Sequence, residues 1–274
     1  MELCILASGS AGNCAIVRSP GSVMLIDLGI GPRVAARRLA GTGVAIADVG
    51  AVCLTHLDGD HFNANWIPTL LNHNIRVFCH YQRVEELVAC PGGQALAHLV
   101  RPFDGEVFMP FPELSLRPLR FAHDRDGSHG FLIEAGGARV GYATDLGRVT
   151  AELLEHFQEV DILALESNYD PLMQQNSSRP LFLKQRITGG CGHLSNQQAF
   201  AAVRAILDRC QEARRPLPRH IVLLHRSRQC NCPRLLRELF SADERIARRL
   251  LLAEQHERSP WLHVAAVGQQ MTLF

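Results

Sequence analysis

Apolar residues in the first third of the chain come in short runs broken by Gly, Ser and Asn. ELCILAS (2–8), CAIVRS (14–19) and SVMLIDLG (22–29) therefore predict three strands joined by hairpin-like turns. PRVAARRLAGTG (32–43) has Pro near its start and glycines at its end, which predicts a helix with both stops written in. AVCLTH (51–56) is continuously apolar before its last residues and predicts a strand buried on both faces. Helix-like WIPTLLNHN (66–74), strand-like IRVFCHY (75–81) and helix-like QRVEELVAC (82–90) follow. The middle returns to strands at LSLRPLRFAH (114–123), HGFLIEA (129–135) and ARVGYATD (138–145). Beyond them, AELLEHF (151–157) predicts a helix and VDILALES (160–167) a buried strand. SNQQAFAAVRAILDRC (195–210) shows the clearest helical spacing, with Ser195 as its N-cap. IVLLH (221–225) is a last core strand and PRLLRELF (233–240) a last helix. This order predicts two sheets packed together with helices outside, in a single domain over residues 1–274.

Composition narrows the class more than the function. Of 274 residues, 47% are hydrophobic and 20% charged, the balance of a soluble globular protein. Lys+Arg 28 against Asp+Glu 27 leaves a net charge of +1, so any basic surface for nucleic acid must be local. No apolar stretch reaches the roughly 18 residues of a membrane span. The N-terminus carries Glu2 and no basic region, a poor signal peptide. Nine cysteines, odd in number and several inside strand-like runs, are those of a reduced, cytoplasmic protein. Cys230 and Cys232 form a CxC without a partner pair, too little for a zinc knuckle.

The candidate chemistry sits at strand ends. LTHLDGDHF (54–62) places His56, Asp58, Asp60 and His61 in the turn after a buried strand. Imidazole and carboxylate on a rigid strand end suit zinc, manganese or iron, although a solvated polar turn with Gly59 at its bend has the same composition. RFAHD supplies His123, ATDLG Asp145 and IVLLH His225, each after an apolar strand. One such residue means little, because a strand-end His or Asp commonly bonds the backbone. Seven together are enough for two ions if one carboxylate bridges and water fills the remaining positions.

The order HxDxDH, His, Asp, His resembles the metallo-β-lactamase superfamily, whose pattern is HxHxDH, His, Asp, His. ASGSAGN, ATDLG, ESNYD, LKQRITGGCGHLSN and LLHRSRQCNCP resemble its YycJ/WalJ-like branch, related to ribonuclease Z and ribonuclease J. The resemblance spans nearly the whole chain and implies an α/β fold, a four-layer αββα sandwich of two mixed sheets flanked by helices. It implies that His56, Asp58 and His123 hold a first metal and Asp60, His61 and His225 a second, with Asp145 bridging. Asp27 in LIDLG then supports the metal loop from behind. Asp58 departs from the pattern, standing where the second histidine is usual; a harder oxygen donor there favours manganese or iron over zinc at the first metal. Tyr169 replaces a common histidine, and the segment from Arg228 to Asn231 replaces a more acidic one.

Two nearby metals acidify a shared water and neutralise charge on a phosphorane-like transition state, with Asp60 as part of that machinery. The ligands alone do not choose between a phosphodiester and a thioester. Lys184, Arg186, the glycine turn and the helix start at Ser195 and Asn196 make a phosphate site, or else only a loop and a cap. His193 either stabilises a charged intermediate or protonates a leaving oxygen, or is only the residue ahead of the cap. Ser10 and Asn13 lie in a polar turn that reaches substrate or simply closes a hairpin, and Asn168 belongs to the ESN pattern. The leading expectation is a metal-dependent nuclease of single-stranded DNA or RNA, exonuclease-like. The alternatives are a hydrolase of a thioester or small phosphodiester, and a metal-stabilised binding protein with little catalysis.

Overall fold

Strands covered on both faces sort their side chains by parity, and β1 (Glu2–Ala7) does so. Its Leu3 and Ile5 enter an apolar layer with Phe131, Tyr142 and Val222, while Cys4 and Leu6 turn the other way toward a layer containing Trp66 and Leu70. This explains why the run reads as continuously apolar rather than alternating. The computed structural model describes residues 1–264. Residues 265–274, the tail of the single unit expected over 1–274, lie outside the described residues.

β2 (Cys14–Ser19), β3 (Ser22–Ile26), β4 (Ala51–Cys53), β5 (Arg76–His80) and β6 (Val100–Phe103) continue the first sheet. β7 (Phe108–Phe111), β8 (Leu114–Phe121), β9 (Ser128–Ala135), β10 (Ala138–Ala143), β11 (Ile162–Glu166), β12 (His220–Leu224) and β13 (Leu250–Leu252) form the second. β14 (Leu262–His263) returns to pair with β1. Each sheet is seven-stranded, in the orders β14-β1-β2-β3-β4-β5-β6 and β13-β12-β11-β10-β9-β8-β7. β3 to β6 run parallel, as do β10 to β13, whereas the remaining pairs are antiparallel.

The inner faces of both sheets meet in one apolar layer. Helices Pro32–Leu39, Ile67–Asn72 and Val84–Ala89 cover the first sheet through Leu39, Leu70 and Leu87. Helices Ala151–His156, Asn196–Glu212 and Pro233–Phe240 cover the second through Leu153, Val203 and Phe240. The result is the αββα sandwich the pattern implied. Ser195 caps its helix, accepting from Gln198 N while the Gln198 side chain returns to Ser195 N. No helix among the described residues is long and apolar enough to cross a membrane. All nine cysteines are free, and Cys230 packs in a small cluster with Tyr169 and Ile187.

Topology alone puts the candidate ligands together. β8 is antiparallel to β9, and β9 to β10, so β8 and β10 finish at the same end of the second sheet. His123 and Asp145 therefore leave on the side from which β12 delivers His225. β4 delivers the His56–His61 loop from the first sheet.

Candidate metal centre

Carboxylates and imidazoles from both sheets converge on Asp145. Its Oδ2 lies 2.9 Å from His61 Nε2, and its Oδ1 lies 3.7 Å from His123 Nε2 and 3.5 Å from His225 Nε2. His56, His123 and Asp145 make one compact group of ligand atoms, and Asp60, His61 and His225 make another. Asp58 Oδ2 is 3.8 Å from His56 Nε2 and groups with His123 and Asp124. Asp60 Oδ2 is 3.2 Å from His225 Nε2.

Hydrogen bonds from behind fix which imidazole nitrogen faces inward. His61 Nδ1 donates to Asp27 Oδ2 at 2.8 Å, and His123 Nδ1 donates to the Gly192 carbonyl at 2.9 Å. His56 Nδ1 donates to Thr55 Oγ1 at 2.9 Å, and that hydroxyl in turn donates to the Asp27 carboxylate. Each pairing leaves an Nε2 lone pair aimed into the cluster, the arrangement a cation requires. His56 Nε2 is buried and has no hydrogen-bond partner, a costly state for a polar atom unless an ion takes it. Burial and the neighbouring His61 hold His56 well below the ordinary imidazole range, so the ring is neutral. The donor set fits divalent cations.

The backbone is bent to make this fit. Asp27, Asp145 and His225, each just after a strand, adopt φ of 61°, 57° and 53°. Such left-handed non-glycine residues cost roughly 1–3 kcal/mol each and gather where function requires them. Gly29 sits where three loops touch: Asn13 N donates to Asp60 O, Leu28 N to His61 O and Gly29 N to Asn13 O. A Cβ on Gly29 would lie 1.7 Å from the Asp60 carbonyl oxygen, so only glycine admits the approach.

Residues 23–221 match the model of the Beta-lactamase superfamily domain. The chain belongs to the beta-lactamase superfamily. It is a metal-dependent hydrolase of that superfamily. Among its relatives, exodeoxyribonuclease YycJ of Bacillus anthracis is 23% identical over 86% of each chain. Exodeoxyribonuclease WalJ of Streptococcus pneumoniae is 24% identical over 76% of this chain and 78% of its own. The fold is also that of Zn(2+)-bound PqqB from Methylobacterium extorquens, with TM-score 0.68 and 17% identity over 96% of this chain and 100% of that one.

In this superfamily member the ligand cluster floors a cleft of about 250 Å³. Ser10, Asn168, Arg186 and His193 line it. His193 Nδ1 donates to Glu166 Oε1 at 2.7 Å. Burial is the largest single effect and opposes its charge, but Glu166, Asp145 and Asp60 together outweigh it and lift the imidazole to about 9. Asn13 is buried with the ligands instead of lining the cleft, its Nδ2 2.9 Å from His61 Nε2. Lys184 is not at the cleft; its Nζ donates to the Gln175 carbonyl. Ser195 is occupied in capping, and buried Asn196 bonds Ser167 and Asn231. Arg186 is engaged with Asp124, its Nε 2.7 Å from Oδ1. Asp124, Thr55 and Arg179 belong to the site and were missed. Asp124 directly follows His123 and was open to notice, whereas Arg179 lies in a polar stretch with no pattern around it.

Proposed function

We propose that the chain is a metal-dependent phosphodiesterase that trims single-stranded nucleic acid as an exonuclease. The observation that carries this is the pair of imidazole–carboxylate groups sharing Asp145, together with relatives named as exodeoxyribonucleases. His56, Asp58 and His123 would hold one divalent ion and Asp60, His61 and His225 a second, with Asp145 common to both. Two bound ions would acidify a water and neutralise developing charge on the phosphoryl oxygens. Asp27 and Gly192 keep the imidazoles turned inward. His193, lining the cleft with its basicity raised by Glu166, gives its proton to the departing oxygen, and Glu166 holds the ring in position. Asp58 biases the first position toward a harder ion such as manganese or iron.

Purified protein with added Mn²⁺ is tested on 5′- and 3′-labelled single-stranded DNA and RNA beside S-lactoylglutathione. Stepwise shortening of the oligonucleotide, abolished in His61→Ala, is the expected result. Turnover of the thioester alone would replace the nuclease reading with that of a small-ester hydrolase. Two bound metals without any turnover would leave a binding protein.

A further inference from the structure

The cleft contains two arginines, and only one carries a charge that its surroundings leave uncompensated. Arg186 is engaged with the Asp124 carboxylate through two N–H groups, Nε to one oxygen and Nη2 to the other. Arg179 has no carboxylate partner among the described residues. Its Nε donates to Gln229 Oε1 at 3.1 Å, its Nη1 to Gln174 Oε1 at 3.1 Å and its Nη2 to Ser227 Oγ at 3.4 Å. Three neutral oxygens thus fix the plane of the guanidinium while its positive charge stays whole, and two N–H groups remain to donate. Gln174 and Ser227 are buried, so this cradle is built into the fold and not a surface accident. Ser227 and Gln229 lie just after His225, and Gln229 falls in the segment from Arg228 to Asn231 that departs from the pattern this chain resembles.

A second feature adjoins the first. Pro180 follows Arg179 and opens helix Leu181–Thr188, whose Leu183, Arg186 and Ile187 line the cleft. Phe182 stands four residues before Arg186 on the same helical stripe, and it is 71% exposed. It is the most exposed large apolar side chain among the described residues. Arg179 and Phe182 are thus three residues apart in the chain, and an uncompensated guanidinium with an exposed aromatic ring is a combination that holds a phosphate and its base in single-stranded nucleic acid.

We propose that Arg179 and Phe182 form a nucleotide subsite on the rim of the metal cleft. Arg179 binds a phosphate flanking the one at the ligand cluster, and Phe182 stacks the base attached to it. This rests on the nuclease reading above and extends it to strandedness. A base stacked on both sides within a duplex has no free face for the ring, so the interior of a duplex is excluded at this position.

Single-strand cleavage by the metal-loaded protein is followed as a function of salt for wild type, Arg179→Gln, Gln229→Glu and Phe182→Ala. Gln229→Glu leaves Arg179 in place but cancels its charge, so it answers the objection that Arg179→Gln merely disturbs the loop. Both charge variants should raise KM by about fivefold or more with kcat within twofold. Both should also lower the slope of log KM against log salt by about 0.7, the contribution of one phosphate contact. Phe182→Ala should raise KM by about fivefold or more, the lower end of what one stacked base contributes. That penalty should vanish on an oligonucleotide abasic at the flanking position. No cleavage by the wild type overturns the nuclease reading and the subsite with it. Cleavage whose KM and salt slope both charge variants leave unaltered overturns the subsite alone. A wild-type dimer that Phe182→Ala dissociates without raising KM assigns the ring to a second copy, and also overturns it.

Discussion

His61 reaches the cluster with one nitrogen because Asp27 engages the other, and that division of labour can be tested one residue at a time. Asp27→Asn keeps the shape but removes the carboxylate that accepts from His61 Nδ1 and Thr55. Metal affinity should fall about 10–100-fold, read by competition with a chromophoric chelator. His193 gives a pH signature. Burial lowers its imidazole, and Glu166, Asp145 and Asp60 together outweigh that and lift it to about 9 before any ion binds. As a proton donor it should let kcat fall as pH rises through its pKa, which ions held by Asp145 and Asp60 would bring below 9 by cancelling their charge. Glu166→Gln should move that fall to lower pH. His193→Ala should cost roughly 10²–10⁴ in kcat on an oligonucleotide, and far less on bis-p-nitrophenyl phosphate, whose nitrophenolate leaves without a proton. Asp58→His restores the usual imidazole, and the expectation is a higher zinc-to-manganese ratio by elemental analysis after loading from equal concentrations. The ligand residues were legible because strand ends deliver them in a recognisable order. Arg179 was not, since what distinguishes it is the absence of a neighbouring carboxylate, a relation that only the folded chain creates.

Elements differ in how openly the sequence announces them, and the difference follows burial. The ten interior strands stand out by their apolar positions, as near-continuous runs where both faces are covered and by alternation in β8. The four that do not, β6, β7, β13 and β14, are the four edges of the two sheets. β6 exposes Arg101 and Pro102 between its buried ends, β7 contains Pro110, and β13 and β14 are three and two residues long. Edge strands accept proline and polar side chains because one row of backbone groups needs no partner, so they carry little pattern. Helix Leu181–Thr188 was hidden for the converse reason: its apolar Leu181 and Phe182 face outward, leaving no amphipathic stripe. Gly29 shows an element-scale constraint invisible in any local pattern. Because a Cβ there meets the Asp60 backbone, Gly29→Ala must separate the Asn13, Leu28 and Asp60 segments. The expected loss is about 1–3 kcal/mol, seen as a lower urea midpoint, with metal content reduced in parallel because His61 leaves the same loop.

Over the whole molecule, the ligands bridge two sheets whose inner faces meet in an apolar layer. His56, Asp60 and His61 follow β4 of the first sheet, whereas His123, Asp145 and His225 follow β8, β10 and β12 of the second. Ions bound between these groups would tie the sheets at one edge and favour the folded state alone, since the unfolded chain disperses the ligands. At a free metal concentration a hundredfold above Kd, one site contributes about 2.7 kcal/mol. For a chain of this size that is a rise in Tm of roughly 5–10 °C, lost on treatment with EDTA and regained with Mn²⁺. The sign of the pH dependence follows from competition between ion and proton for the imidazoles and carboxylates, so the metal-linked increment should shrink as pH falls from 8 to 6. Calorimetry with and without EDTA at each pH measures it. In His61→Ala the EDTA-sensitive increment should be largely gone, while the apolar layer between the sheets keeps the chain folded. An increment that grows toward acid pH, or that survives unchanged in His61→Ala, would place the stabilising ion elsewhere.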